Sequence, residues 1–345
     1  MGAKLALAVM LAAAAPQAGS SHKPTRLFSD DQPIKVTIKG PIAAVVATPA
    51  NARTARPATL QAGTETLPIL LSPRGILRRT KIACSFPPLG VQFTTKPAKG
   101  SLFAGQKKLK LVTHCRSVSQ HQQYVLLEYA AYRMFNVLSP TGLRARLGTF
   151  DYVEQNGKPV TSRIGFFIED SDDAAKRNGQ VELKIMTRIA PQQLDAATAA
   201  RAAVFEYMIG NTDWSMRAGP AGTACCHNFR LFGKAVGAQY GIVVVPYDFD
   251  VSGLVNPPYA LPDERLGIDT VRQRYYRGYC VHNAQALAAA AEFRAKRGEL
   301  VGVLGSVPGL DNDRRQKAAA YLDSFFEDMA TDDSVAKKLL KTCIK

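Results

Sequence analysis

Residues 241–250 read Gly-Ile-Val-Val-Val-Pro-Tyr-Asp-Phe-Asp, a short apolar run followed by two acidic residues. A β-branched run bounded by Gly and Pro is typical of a buried strand. Carboxylates at the end of a buried strand are costly to desolvate unless they bind a cation or take part in proton transfer. We therefore expect Asp248 and Asp250 to mark a functional site.

A second acidic segment lies upstream, after a helical pattern over residues 192–209. Gly210 ends that pattern, and Asn211-Thr212-Asp213-Trp214 follows it. His227 and Asn228 lie between the two acidic segments. Because carboxylate and amide oxygens are ligands that Mg²⁺ prefers, the combination indicates a magnesium site.

A kinase-type phosphoryl transfer site needs an Asp near the acceptor hydroxyl, an Asn and an Asp on the metal, a Lys on the phosphates and a Glu that orients the Lys. Lys110 lies in a strand-like run, and Glu128 follows 18 residues later on a predicted helix. The order Lys110, Glu128, Asp213, Asn228, Asp248 therefore supplies every role.

The element pattern predicts an α+β fold. The first half shows short strand-like runs around one long helix, predicted over residues 120–138, and the expected strands are 67–71, 81–85, 109–113, 148–154, 163–169 and 181–187. The second half is mostly helical, with one strand over 241–246 and helices over 192–209, 284–297 and 312–329. We predict two lobes, an N-terminal β-rich lobe with one long helix and a mostly helical C-terminal lobe.

The predicted organisation begins with a signal peptide over residues 1–18. Lys4 precedes an apolar run over residues 5–15, and Ala18 fits a cleavage site. That run is too short for the roughly 20 residues of a spanning helix, so the mature chain is expected to have no transmembrane segment. An extended leader over 19–65, a nucleotide-binding part over 66–190 and a catalytic part over 191–345 complete the prediction.

Six cysteines agree with export, because disulfides persist in oxidising compartments such as the periplasm or the extracellular space. Six cysteines allow 15 pairings, which spacing does not resolve. The adjacent Cys225 and Cys226 are expected to bond to two different partners. No C-x-x-C spacing is present, which disfavours a zinc site.

The charge is uneven along the chain. Its formal net charge is +16, and residues 23–116 hold 16 Lys and Arg against three acidic residues. A basic lobe suits a phosphorylated ligand, a nucleic acid or an anionic surface. Since few aromatic residues are interleaved with these charges, we expect no nucleic-acid binding.

At these motifs the chain resembles the CotH kinase family, the secreted or spore-coat relatives of protein kinases. The resemblance covers most of residues 67–255. The segments that carry it are Pro73-Arg74-Gly75 with Arg78-Arg79, Lys107-Lys108-Leu109-Lys110-Leu111, Leu127-Glu128-Tyr129-Ala130, Asn156-Gly157 with Gly165-Phe166-Phe167-Ile168-Glu169, Gly210-Asn211-Thr212-Asp213-Trp214, His227-Asn228-Phe229 and Pro246-Tyr247-Asp248-Phe249-Asp250. The resemblance implies a two-lobed protein-kinase-like fold.

The resemblance implies that the catalytic and metal-binding residues come from the second half. Asp213 would be the catalytic Asp, and Asn211 in the same segment would also be a catalytic residue. Asn228 and Asp248 would be ligands of Mg²⁺ or Mn²⁺, and Asp250 could replace Asp248. The chain departs from protein kinases here, because Asn228 follows Asp213 by 15 residues rather than closely.

The resemblance also implies a nucleotide site in the first half. Lys110 would contact the phosphates of ATP, Glu128 would pair with Lys110, and Glu169 would lie near the adenine or the hinge. The chain has no Gly-rich phosphate loop, so we expect basic side chains such as Arg74 and Arg78 to contact the phosphates.

Three functions fit these residues. The first is an exported ATP- and Mg²⁺-dependent phosphotransferase that acts on Ser or Thr of an envelope or secreted protein. The second is a kinase-fold protein without catalysis that binds a partner or has a structural role in the envelope. The third is a metal-dependent hydrolase, which would need two cations about 3.5–4 Å apart; the lack of His among the acidic motifs argues against it.

Overall fold

The structure, a computed structural model, describes residues 23–345. The predicted signal peptide therefore lies outside the described residues. The chain forms an N-terminal mixed β-barrel and a more helical C-terminal part, so the predicted α+β class is confirmed. None of the helices within residues 23–345 combines the length and the hydropathy that crossing a bilayer requires.

Seven strands close the barrel in the order β1-β2-β3-β4-β5-β7-β6. Their bounds are β1 (Ile34–Gly40), β2 (Arg56–Ala62), β3 (Glu65–Pro73), β4 (Leu89–Phe93), β5 (Lys108–Val112), β6 (Ala145–Glu154) and β7 (Pro159–Ile168). Neighbouring strands are antiparallel except β1 and β6, which pair in parallel and close the barrel.

The leader expected over residues 19–65 is, in its described part, a component of this barrel. It contains β1, the short helix α1 (Ile42–Val46) and β2. The period of two in β1 explains the outcome, because Val36 and Ile38 alternate inward and are fully buried. The alternating run Ile34-Lys35-Val36-Thr37-Ile38 is the sequence signal for this strand.

The strand expected over residues 81–85 is wrong. This segment is a series of turns in which Thr80 accepts hydrogen bonds from the backbone of Ala83 and Cys84. A short 3₁₀ helix, Leu77–Arg79, precedes the turns. β4 follows them and takes the place in the sheet next to β3.

The helix expected over residues 120–138 has these bounds in the structure, as α2 (Gln120–Leu138). It is buried along most of its length and packs against β7 on one side and the C-terminal helices on the other. A short helix, α3 (Ser171–Arg177), follows the barrel.

A second sheet has three antiparallel strands in the order β10-β9-β8. Their bounds are β8 (Val181–Leu183), β9 (Phe229–Gly233) and β10 (Val243–Pro246). β8 pairs with β9 and with no strand of the barrel.

Five helices build the rest of the C-terminal part. They are α4 (Ala196–Ile209), α5 (Asn283–Ala295), α6 (Arg297–Ser306), α7 (Asn312–Asp328) and α8 (Asp332–Lys338). One continuous hydrophobic core joins α2, α4 and β10 to these helices, while a second core fills the barrel. The segments after α4 and β10 are therefore attached to rigid elements.

Candidate functional site

Three carboxylates meet at the junction of the barrel and the C-terminal part. One oxygen each of Glu128, Asp248 and Asp250 lies within 4.8 Å of the others, an arrangement that could hold a metal ion. Glu128 comes from the middle of α2, and the two aspartates follow β10. The Tyr132 hydroxyl accepts a hydrogen bond from the backbone of Asp248 at 3.0 Å.

Arg78 reaches into this acidic cluster from the 3₁₀ helix after β3. Its guanidinium lies 3.1 Å from Asp250, 3.3 Å from Glu128 and 3.9 Å from Asp248. Arg78 and Glu128 are both buried. In this structure the ion-pair partner of Glu128 is therefore Arg78, whereas the sequence analysis expected Lys110.

One guanidinium does not balance three carboxylates, two of which, Glu128 and Asp250, are buried. Burial raises the pKa of Glu128, and the charges of Asp250 and Asp248 raise it further, while Arg78 opposes the shift. Burial likewise raises the pKa of Asp250 against the effect of Arg78. Oε1 of Glu128 is buried and has no hydrogen-bond partner among the described residues. Charge and geometry both leave room for a further cation.

A group of cations lies beside the acidic cluster. Nζ of Lys110 lies 4.7 Å from the centre of the Tyr247 ring, and the Arg230 guanidinium lies 4.6 Å from the same ring. Desolvation lowers the pKa of Lys110 well below its usual range, and the charges of Arg230 and Arg74 add to this effect. Desolvation also lowers the pKa of Arg74, although Asp248 opposes the change. Bound phosphate oxygens would relieve this repulsion.

Side-chain hydrogen bonds fix the backbone of the segment that contains Asp213. Gly210 ends α4 with a φ of 67°, a conformation that favours glycine. Asn211 Oδ1 then accepts a hydrogen bond from the backbone of Asp213 at 3.1 Å. The Arg277 guanidinium donates to the carbonyls of Thr212 and Trp214. Asn211 therefore shapes the turn that presents Asp213.

Two side chains hold the Asp213 carboxylate directly. His227 Nε2 lies 2.8 Å from Oδ1, and this hydrogen bond raises the pKa of His227. Asn228 Nδ2 donates to Oδ2 at 3.1 Å and also to the backbone carbonyl of Asp213. The 14 residues between Asp213 and Asn228 therefore do not keep the two side chains apart.

The intervening loop closes because Ser215 and His227 pair across it, with the Ser215 amide donating to the His227 carbonyl at 3.0 Å. Beyond the loop, the Tyr247 amide donates to the Asn228 carbonyl at 3.0 Å. The Asp213, Asn228 and Asp248 segments are thus connected through hydrogen bonds. The charge of Asp213 contributes to the raised pKa of Asp250, whose main cause is burial.

The cysteines of the loop correct one expectation. Cys225 and Cys226 form a disulfide with each other rather than with two different partners. The other two disulfides are Cys84–Cys115 and Cys280–Cys343. The loop therefore closes through its backbone pairing. The Cys84–Cys115 disulfide holds the turns over residues 76–84, and the Cys280–Cys343 disulfide holds the C-terminus.

Glu169 lies at the end of β7, apart from the acidic cluster. Its carboxylate is buried in an ion pair with Arg177 at 2.9 Å and accepts a hydrogen bond from the Arg144 amide. The side chain therefore joins α3 to β6. The neighbouring Asp170 pairs with Lys108 at 3.4 Å.

The sequence analysis named His227 but not its partner, because a single His does not show which carboxylate it meets. Glu206 was missed altogether. Glu206 is fully buried on α4, and neither carboxylate oxygen has a hydrogen-bond partner within residues 23–345. Burial raises the pKa of Glu206 well above its usual range. The apolar pattern around Glu206 was the only clue to its burial.

Comparison with protein-family models finds no match, and comparison with curated proteins finds none either.

Proposed function

We propose that the chain is an exported phosphotransferase that uses ATP and Mg²⁺ or Mn²⁺ and phosphorylates Ser or Thr of an envelope or secreted protein. The convergence of Glu128, Asp248 and Asp250 beside the hydrogen-bonded Asp213 and Asn228 is the observation that carries this proposal. The same proposal includes membership of the CotH kinase family and a two-lobed kinase-like fold. Three disulfides support an oxidising location.

Glu128, Asp248 and Asp250 would hold the metal ion. Three carboxylates suit a hard divalent cation, and the unpartnered Glu128 oxygen provides a ready ligand. Asn228 has its amide nitrogen on Asp213, so its amide oxygen is not used in those bonds and can also face the cation. Bound Mg²⁺ would neutralise charge on the transferred phosphoryl group.

Asp213 would accept the proton of the acceptor hydroxyl. Its carboxylate is partly exposed, and His227, Asn228 and the Asn211 turn fix its direction. A positioned carboxylate within hydrogen-bond reach of the hydroxyl is what this step requires. Asn211 is then a positioning residue and not a proton acceptor.

Lys110 and Arg74 would bind the phosphates of the nucleotide. Both belong to the cationic group beside Tyr247. Desolvation, together with repulsion from neighbouring guanidinium groups, lowers the pKa of both side chains when no anion is bound. Glu169 is proposed to lie near the adenine, through the β7–α3 connection and not through its carboxylate, which Arg177 engages.

A labelling experiment tests the proposal. The purified chain is incubated with radiolabelled ATP and Mg²⁺ or Mn²⁺, beside the variant Asp213→Ala and the control Asp172→Ala, which removes an exposed carboxylate on α3. We expect the wild type and the control to transfer radiolabelled phosphate to protein. The Asp213→Ala variant should transfer at least about 100-fold less. Equal labelling by all three, or none from folded wild-type protein, would refute the activity.

Two observations favour the non-catalytic alternative. Arg78 already neutralises part of the acidic cluster, and Lys110 forms no ion pair with Glu128. A kinase-fold envelope protein that binds a nucleotide or another anion without transferring phosphate would fit this arrangement. ATP binding that needs Mg²⁺, together with no labelling of any acceptor, would support it.

A further inference from the structure

The turns between β3 and β4 present large aliphatic side chains to solvent. Ile76 is 76% exposed, Ile82 is 89% exposed, and Leu77 lies between them with about half of its surface exposed. Val118, at the start of α2, is also exposed. Single exposed aliphatic residues are ordinary, but several on one short segment and its neighbour mark an interaction surface.

The Cys84–Cys115 disulfide brings this segment to the loop before α2. Arg116 strengthens the link, because its guanidinium donates to the carbonyls of Ile82 and Ala83. Successive turns hold residues 76–84 together. The aliphatic residues are therefore fixed on an anchored projection, which we name the 76–82 loop.

The 76–82 loop carries exposed basic charge. Lys81 and Arg116 are exposed at its side. No acidic residue occurs between Glu65 and Glu128, a stretch that contains ten Lys and Arg. The loop therefore combines apolar side chains with positive charge that no acidic side chain in the described part of the chain pairs with. An anionic bilayer offers the complementary surface, because its charged headgroups cover an apolar interior.

We propose that the 76–82 loop docks the protein on an anionic lipid surface, with Ile76, Leu77 and Ile82 entering the headgroup layer and Lys81 and Arg116 contacting lipid phosphates. Arg78 points from the same segment into the acidic cluster, so docking would place the candidate site near the lipid surface. The inference does not depend on phosphotransfer.

Vesicle sedimentation tests the proposal. The purified chain is mixed at low salt with vesicles of equal parts phosphatidylglycerol and phosphatidylcholine, and in parallel with pure phosphatidylcholine. The test variant is Lys81→Glu/Ile82→Ser. The matched control is Lys234→Glu/Val236→Ser, which changes an equally exposed pair on the turn after β9. Residues 1–22 are the same in every protein, so differences between variants report on the loop.

Each basic residue near an anionic surface contributes about fivefold in affinity, and the substitution of Lys81 reverses one charge. We therefore expect at least about tenfold weaker binding of the loop variant to anionic vesicles, with the control unchanged. Binding of the wild type should weaken as salt screens the charges.

Three outcomes would overturn the proposal. They are no binding of the wild type to anionic vesicles at low salt, equal binding to neutral vesicles, and equal loss in the loop variant and the control. Retention of the wild type but not the loop variant on immobilised polyglutamate, with no vesicle binding, would assign the surface to an acidic protein partner instead.

Discussion

Replacing Arg78 by Met removes the only guanidinium that contacts all three carboxylates of the acidic cluster, within the part of the chain that the structure describes. Arg78 is buried, with ion-pair distances of 3.1, 3.3 and 3.9 Å. Removing one partner of a buried ion pair typically costs about 3–5 kcal/mol, because the remaining charge stays desolvated. We expect the Arg78→Met variant to lose this much free energy of unfolding at pH 8.

The loss should depend on pH. Burial and mutual repulsion raise the pKa values of Glu128 and Asp250 in the folded state, and loss of Arg78 raises them further. A carboxyl whose pKa is raised on folding loses stability as pH rises above its unfolded pKa, near 4. The cost of Arg78→Met should therefore be smaller at pH 5 than at pH 8.

Mg²⁺ should recover part of the loss. A divalent cation can replace the charge of Arg78 among the three carboxylates, and a ligand at about 100 times its Kd stabilises the folded state by about 2.7 kcal/mol. The Arg78→Met variant should therefore gain more stability from Mg²⁺ than the wild type gains.

Urea denaturation followed by circular dichroism measures these changes at both pH values, with and without Mg²⁺. The control is Arg265→Met, which breaks an exposed ion pair with Asp263 and should cost less than about 1 kcal/mol. An Arg78→Met cost as small as that of the control, or one that does not grow from pH 5 to pH 8, would refute this reasoning.

Other substitutions test separate parts of the account. The Glu206→Gln variant should unfold at a higher urea concentration than the wild type at pH 8 and at an equal concentration near pH 4. The reason is that the raised pKa of Glu206 makes the wild type lose stability as pH rises. A difference that does not depend on pH would contradict this. Cys280→Ser/Cys343→Ser removes a disulfide that joins residues 63 positions apart. It should lower the free energy of unfolding, measured by thermal denaturation, by about 4 kcal/mol, and a loss below about 1 kcal/mol would contradict this. Asn228→Ala frees Asp213 and should lower labelling by about 100-fold with unchanged folding, whereas wild-type labelling would exclude this role.

Periodicity predicted the elements that follow simple rules. α2 has its predicted bounds because apolar spacing and a following Pro are strong helix signals. β10 was predicted from its β-branched run. β4 and β9 were missed because neither has a β-branched run like that of β10, and the place of each in its sheet is fixed by pairing with a partner strand that a sequence does not reveal.

The site shows a similar division. The sequence predicted which acidic residues follow buried elements, and the structure brings Asp213 and Asn228 together with the segment that carries Asp248. It did not predict which cation meets Glu128, because that depends on how the turns after β3 fold back over α2. Any of the basic residues in the first third of the chain could have filled that place, and Arg78 does.

The most direct test of the central claim is calorimetric titration of ATP into the purified chain with and without Mg²⁺, beside Asp248→Asn/Asp250→Asn. Because carboxylates of the acidic cluster would hold the cation that bridges to the phosphates, we expect ATP binding only with Mg²⁺ and at least about tenfold weaker binding by the variant. Equal affinity with and without Mg²⁺, unchanged in the variant, would contradict the claim that these carboxylates form a metal-dependent nucleotide site.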